Sequence, residues 1–109
     1  PTKIIMKNTN QLIEDVRAWG RAKGIIGENS SGSERGQLAK LVEEANELSD
    51  AIFTNDHYQK IDAIGDCAVV LILLADIIDM RFEDCLDAAY QVIKQRTGRM
   101  VDGQFIKDN

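Results

Sequence analysis

The chain has 109 residues, of which 44% are hydrophobic and 28% are charged, and its formal net charge is −5. This length predicts a single domain covering residues 1–109, because a second hydrophobic core has no room. The longest apolar stretch, residues 67–75, is much shorter than the roughly 20 residues that cross a bilayer, so we expect a cytoplasmic protein with no membrane partner. We expect no nucleic-acid partner either, since that would require a basic surface.

Hydrophobic residues recur with a helical period along most of the chain, which predicts an all-α bundle of four helices joined by short connections. The first helix is predicted at residues 10–23, with Thr9 as its N-cap and Gly24 at its end. Met6, which precedes it, is a candidate native first residue. The apolar face of this helix contains Leu12, Val16 and Trp19.

The next segment, residues 24–32, is rich in glycine and serine, which predicts a mobile loop. Such a loop either connects two helices or closes over a ligand. The second helix is predicted at residues 33–54, with Ser33 as its N-cap. Its predicted apolar stripe comprises Leu38, Leu41, Ala45, Leu48 and Ile52.

Two further helices are predicted at residues 56–80 and 83–96, with Gly98 ending the second of them. The tail contains the turn pair Asp102 and Gly103 between apolar residues, which predicts a short hairpin or strand at residues 100–106. Cysteines occur at positions 67 and 85, without the spacing of a metal site, and are predicted to be buried thiols.

The third predicted helix is apolar around its whole circumference at residues 67–75, so it must be covered on all sides. One small chain of four helices covers it incompletely, and we therefore expect a homodimer or homotetramer. Asp66 stands at the edge of this apolar segment, where an unpaired carboxylate loses hydration at a cost of several kcal/mol. We expect Asp66 to face an arginine or a metal ion.

Acidic residues are concentrated in the middle of the chain: residues 43–87 contain twelve of them against two basic residues. Glu44 and Glu47 are three positions apart, so they share one helical face and can chelate a hard cation. Asp62 and Asp66 share a face of the next helix in the same way. Together they predict a four-carboxylate pocket neutralised by a divalent metal, and the alternative is a solvated acidic surface.

A resemblance to a known family rests on four segments. Residues 40–48 read Lys-Leu-Val-Glu-Glu-Ala-Asn-Glu-Leu, and residues 62–66 read Asp-Ala-Ile-Gly-Asp directly before the apolar helix. Together with residues 16–24 and 94–100, they resemble the MazG-like branch of the all-α nucleoside triphosphate pyrophosphohydrolases over nearly the whole chain. The resemblance implies an all-α fold, magnesium as cofactor, and hydrolysis of a (d)NTP to (d)NMP and pyrophosphate.

The resemblance also implies a ligand set for magnesium, because Glu44, Glu47 and Asp66 match metal-binding positions of the family. Glu43 or Asp62 is then the candidate catalytic residue that orients the attacking water. The candidate substrate-binding residues are Lys40, Lys94 and Arg96 for the phosphates and Trp19 for the base. The alternative for Trp19 is packing in the core with its apolar neighbours on the first helix.

One position departs from the family pattern. The family has a glutamate three residues before Asp66, where this chain has Ala63, and the nearest acid is Asp62. A shift of one residue rotates a helical side chain by about 100°. Two hypotheses follow: an active magnesium-dependent enzyme, or a non-catalytic nucleotide-sensing or protein-interaction module of the same fold.

Overall fold

The computed structural model describes residues 8–109, so Met6 lies outside the described part of the chain. Within that part, four α-helices precede a two-stranded antiparallel sheet, which confirms the predicted helical architecture with a C-terminal hairpin. The elements are α1 (Thr9–Ala22), α2 (Glu34–Phe53), α3 (His57–Ile77), α4 (Phe82–Ile93), β1 (Gly98–Val101) and β2 (Gln104–Lys107).

The first helix begins one residue earlier than predicted, because Asn8 and not Thr9 is its N-cap. Asn8 has an extended backbone, and its side-chain oxygen accepts a hydrogen bond of 2.8 Å from the backbone N–H of Gln11. Thr9 is the first helical residue. This cap satisfies one of the backbone donors that every helix start leaves open.

The connection between α1 and α2, predicted to be mobile, is anchored to α1. The backbone N–H of Ile25 donates to the carbonyl of Gly20 over 2.9 Å, and the Ile26 side chain is buried. Gly24 and Gly27 adopt positive φ angles of 77° and 90°, which glycine reaches without strain. These contacts hold the segment against the C-terminal end of α1.

The second helix has the predicted N-cap, since the Ser33 hydroxyl accepts a hydrogen bond of 3.0 Å from the Gly36 N–H. Its buried side differs from the predicted apolar stripe. Glu44 and Ala51 are buried, whereas Leu38 and Ile52 are 55% and 54% exposed. The side that packs on α3 thus contains a glutamate, and an apolar stripe of α2 faces outward.

The third helix is the centre of the fold, because each of the other three helices packs against it. Its apolar segment supplies four of the eight buried hydrophobic residues in the described part of the chain: Val70, Ile72, Leu73 and Ala75. Gly20 of α1 lets the two helices approach closely, since a Cβ atom at this position would collide with the Leu73 side chain. The helix ends at Ile77, three residues before the predicted end.

An ion-pair network that the sequence analysis did not predict joins α1 to the start of α4. Arg17 is buried, and its two Nη atoms lie 3.0 and 2.7 Å from the carboxylate oxygens of Glu83. Arg17 also contacts Glu14 at 2.8 Å, and Arg81 contacts Glu83 at 2.7 Å. The hydrogen bonds from Arg17, assisted by those from Arg81, lower the pKa of Glu83 to about 2.

The last element is a β-hairpin with a two-residue turn, as predicted. Val101 pairs with Gln104, and both turn residues, Asp102 and Gly103, have positive φ angles of 49° and 82°, as a type I′ turn requires. Gly98 does not end α4, which stops at Ile93. It opens β1 instead, where a Cβ atom would collide with a carbonyl oxygen of β2.

Two other sequence predictions concern membrane-spanning helices and the cysteines. No helix in residues 8–109 combines the length and apolar character needed to cross a bilayer. Cys67 and Cys85 are free thiols. Both are half-buried, whereas the sequence predicted that they would be fully buried.

Candidate functional site

A cavity of about 340 Å³ lies between α1, α2 and α3, and the α1–α2 connection closes one side of it. We call it the central cavity. It brings together four of the residues predicted to form the site, namely Trp19, Lys40, Glu44 and Asp66, one of them from α1, two from α2 and one from α3. The other lining residues are Ile25, Gly36, Gln37, Val69, Val70 and Leu73.

The wall of the central cavity contains a buried carboxylate. Glu44 is only 6% exposed, and its Oε2 atom is buried without a hydrogen-bond partner among the described residues. Its Oε1 atom lies 3.5 Å from the Lys40 ammonium. Burying a carboxylate oxygen without a donor or a cation costs free energy, so a structure retains one only where something compensates for it. Glu44 therefore has an oxygen available to a positively charged ligand.

Glu44 belongs to a cluster of carboxylates on α2. Glu43, Glu44 and Glu47 each place one oxygen within 4.8 Å of the others, and we call this set the glutamate cluster. A side-chain hydrogen bond to the neighbouring Glu44 carboxylate raises the pKa of Glu47, and the repulsion between the two negative charges raises it further. Lys40 partly neutralises the set, with its Nζ atom 3.4 Å from Glu43.

The carboxylate of Asp66 reaches the same cavity from α3. Burial raises its pKa, and the charges of Asp62 and Glu44 raise it further. Asp66 does not share the short mutual distances of the glutamate cluster, in which Glu43 is the third member. The predicted ligands Glu44, Glu47 and Asp66 thus divide between the α2 cluster and the facing wall of the cavity.

Ala63, which stands where a carboxylate was expected, and the neighbouring acid Asp62 have opposite surroundings. Asp62 is exposed, and it does not line the central cavity. Ala63 is 4% exposed and lies on the same face of α3 as Asp66 and Val70. The inward-facing position in α3 is therefore occupied by a methyl group, and the acid next to it faces solvent.

Two of the predicted substrate-binding residues lie elsewhere. Lys94 is the C-cap of α4, and Arg96 lies in the connection between α4 and β1. Both side chains are exposed, and neither lines the central cavity. Trp19 does line it and is 48% exposed, so its predicted packing in the core is incomplete.

Sequence reasoning missed one polar residue of the cavity, Gln37. It precedes Glu44 by seven positions, which places the two side chains on the same side of α2. This spacing was the available signal. The spacing identifies Gln37 only once Glu44 is known to face the cavity, because the hydrophobic pattern predicts a different buried side for α2.

Comparison with known proteins gives limited further information. No family model and no solved structure matches the chain. The chain is 34% identical over 70 residues to an uncharacterized 18.2 kDa protein from the rep–hol intergenic region of Haemophilus phage HP1. The match covers 64% of this chain and 41% of the phage protein, so the chain spans less than half the length of that relative. The relative's name gives a mass and a genomic position.

Proposed function

We propose that this protein is a magnesium-dependent nucleoside triphosphate pyrophosphohydrolase of the MazG-like type, which converts a (d)NTP to (d)NMP and pyrophosphate. The observation that carries the proposal is the buried, unpartnered Oε2 atom of Glu44 in the wall of a cavity that also contains Asp66 and Lys40. The sequence resemblance at residues 40–48 and 62–66 supports it independently.

The donor set fits magnesium, because it consists of carboxylate oxygens, which hard divalent cations prefer. In the proposal, Glu44 and Glu47 hold the ion, with Asp66 facing them from α3 and Glu43 completing the cluster. When bound, magnesium supplies positive charge that neutralises the triphosphate oxygens as the bond between the α and β phosphates breaks. The unpartnered oxygen of Glu44 would then have a counter-charge.

Glu43, beside the cavity, and Lys40, in its wall, have roles that follow from their charge and position. A water molecule adds to phosphorus as the anhydride oxygen leaves with pyrophosphate, and an exposed carboxylate of the glutamate cluster, Glu43, accepts the proton of that water. Lys40 donates to phosphate oxygens from one wall. The proposal assigns no step to Asp62, because it faces solvent.

We also propose that the protein is a homodimer or homotetramer. α2 and α3 present large apolar side chains to solvent on the surface away from the core, which is unusual for a small monomer. Phe53 and Tyr58 are 88% and 77% exposed. The other exposed residues of this surface are Leu38, Val42, Ile52, Ile61 and Ile64.

A second candidate function is a non-catalytic nucleotide-sensing or protein-interaction module of the same fold. The observation that favours it is the buried methyl group of Ala63, which leaves Asp66 as the one α3 carboxylate that lines the central cavity. Under this alternative, a nucleotide binds in the central cavity but is not hydrolysed.

The test measures pyrophosphate release from each of the four dNTPs, with magnesium and with excess chelator, for the wild type and Glu44→Gln. We expect magnesium-dependent release from at least one dNTP, and at least a hundredfold loss in the variant. Glu28→Gln is the matched control, because Glu28 is exposed and does not line the central cavity. Absence of release from every dNTP, and from the four NTPs assayed beside them, would overturn the enzymatic proposal in favour of the module.

A thermal measurement separates a lost ligand from a misfolded variant. Magnesium raises the melting temperature of the wild type because it binds only the folded state. Glu44→Gln removes a buried charge while keeping the shape of the side chain, so its apo form should melt no lower than the wild type. Its melting temperature should no longer respond to magnesium, whereas that of Glu28→Gln should respond as the wild type does.

A further inference from the structure

Gln37 is a polar residue of the central cavity to which neither the sequence resemblance nor the proposed chemistry gives a role. Its side chain is half-buried, and within residues 8–109 it makes no side-chain hydrogen bond. A carboxamide offers two donors and one acceptor, and a half-buried one usually has partners. The neighbouring side chains of Ile25 and Val69 provide none, so the amide is free to bond to a ligand in the cavity.

The position of Gln37 relative to the carboxylates has the dimensions of a nucleotide. Gln37 and Glu44 lie on the same side of α2, about 10 Å apart along the helix axis. Lys40 lies between them and lines the same cavity. Along the α2 wall the cavity therefore presents an uncharged amide, then an ammonium, then the Glu44 carboxylate. A nucleoside triphosphate presents a base, a sugar and a phosphate chain over a comparable length.

The cavity that Gln37 lines also offers apolar surfaces that suit a flat ring. Trp19 and Ile25 line it from the α1 side, and Leu73 lines it from α3. The exposed part of the indole is a surface on which any nucleobase can stack, and stacking by itself discriminates poorly between bases. Discrimination requires a hydrogen-bonding group at the edge of the ring.

We propose that Gln37 reads the hydrogen-bonding edge of a nucleobase stacked against Trp19, and that it is the residue that sets the base preference of the site. The inference rests on the proposed function, since that function places the phosphates at the glutamate cluster and so directs the base toward Gln37. The amide bonds to a base edge that presents a donor beside an acceptor within its reach, and it discriminates against a base whose edge lies out of reach.

The test uses the four nucleosides without phosphates, in chelator, so that no turnover contributes. Trp19 is the only tryptophan in the chain, and its fluorescence therefore reports directly on stacking in the cavity. We expect the nucleosides to quench this fluorescence, with dissociation constants that differ at least tenfold between the tightest-binding and the weakest-binding nucleoside. Gln37→Leu should weaken the binding of the tightest nucleoside about tenfold, because it removes the hydrogen bonds and keeps the apolar wall. The spread of the four dissociation constants should then fall to within about threefold.

Two further variants sharpen the test. Gln37→Glu has acceptors only, so it should shift the preference toward the bases that carry an exocyclic amino group, cytosine, adenine and guanine, and away from thymine. Gln91→Leu is the matched control, because the Gln91 amide bonds to Asp87 on α4, away from the cavity, and this variant should keep the wild-type spread. Circular dichroism checks that each variant retains its helices.

The outcomes separate this inference from the proposed function. If pyrophosphate is released from dNTPs, but no nucleoside quenches Trp19 or Gln37→Leu keeps the wild-type spread, the inference is overturned and the enzymatic function stands. If nucleosides bind and the spread collapses in Gln37→Leu, but no dNTP is hydrolysed, the base-reading role stands and the enzymatic function fails.

Discussion

The Lys40 ammonium lies 3.5 Å from Oε1 of Glu44, one helical turn away on α2, and 3.4 Å from the carboxylate of Glu43. Both carboxylates raise the pKa of Lys40, with Glu43 contributing more. Lys40 thus partly balances the charge of the glutamate cluster. A bound cation would reduce the attraction of this cluster for Lys40 and leave the ammonium free to bind a phosphate.

Lys40→Met should therefore have opposite effects on the two ligands. Magnesium should bind more tightly by about two- to fivefold, because a competing exposed cation is removed. The triphosphate should bind more weakly, because a phosphate donor is removed. Calorimetric titration of each ligand measures both effects. Lys60→Met is the control, since Lys60 bonds to Asn55 outside the central cavity. A parallel loss of both affinities would show that Lys40 only maintains the fold.

The exposed Asp62 and the buried Ala63 predict different results for their variants. Asp62→Ala should change turnover by less than about twofold, because its side chain faces solvent, whereas Glu47→Ala should reduce turnover severely. Ala63→Glu buries a carboxylate beside Asp66, which should lower apo stability by about 1 to 3 kcal/mol. Magnesium should recover part of that loss. Equal damage from Asp62→Ala and Glu47→Ala would mean that Asp62 acts as a ligand after all.

The Arg17–Glu83 pair predicts a pH dependence of stability. The folded-state pKa of Glu83 is about 2, below its ordinary value of 4.5. The contribution of Glu83 to the free energy of unfolding is therefore fully present above pH 4.5 and is lost as the pH falls toward 2. Glu83→Gln should lower the free energy of unfolding at pH 7 by about 1.5 to 3 kcal/mol and flatten its decline below pH 4.5.

Asp84→Asn is the control for this measurement, because Asp84 is an exposed acid in the same first turn of α4. Urea unfolding at several pH values provides the comparison. If Glu83→Gln and Asp84→Asn lose the same small amount of stability at pH 7, the network contributes nothing beyond ordinary surface charge.

Two helical glycines form a matched pair for alanine substitution. At Gly20 the new methyl group would collide with Leu73, so Gly20→Ala should destabilise the protein by about 1 to 3 kcal/mol. At Gly65 nothing lies within 4 Å of the added atom, so Gly65→Ala should stabilise α3 by about 0.5 to 1 kcal/mol. Thermal unfolding measures both changes. Equal effects would contradict the close approach of α1 and α3.

The proposed assembly predicts a mass of two or four chains by size exclusion with light scattering. Ile64→Glu places a charge on the exposed apolar surface of α3 and should shift the mass toward one chain while circular dichroism remains helical. Val70→Lys is the contrasting variant, because Val70 is buried within the chain and the change should unfold it. A wild-type monomer at micromolar concentration would contradict the assembly.

Local signals in the sequence were sufficient for most of the secondary structure. The Ser33 cap and the turn at Asp102 and Gly103 were predictable because their residue types meet a local requirement of the backbone. The cap of α1 was wrong by one residue because Asn8 and Thr9 are both good N-caps, and only the backbone angles distinguish them. Gly98 was misread because a glycine after a helix can also permit close contact between strands.

Features that depend on contacts between distant segments were less predictable. The sequence predicted that Glu44 and Asp66 share one site, because each lies in a recognisable segment, and the structure places both on the central cavity. It did not predict the Arg17–Glu83 pair, since nothing local relates residues 66 positions apart. The buried side of α2 was mispredicted because the hydrophobic pattern assumes that the inward face is apolar, and Glu44 violates that assumption.

The C-terminal hairpin has a consequence for how the chain fluctuates. Its strands pair with each other and do not pack closely against any of the four helices. A two-stranded hairpin is marginally stable in water, so in the isolated chain it should open independently of the helices. Amide hydrogens of Met100 and Phe105 should then exchange with solvent far sooner than those of Val70 and Leu73 in α3. Slow exchange in both regions would mean that another chain covers the hairpin and couples its opening to the rest of the protein.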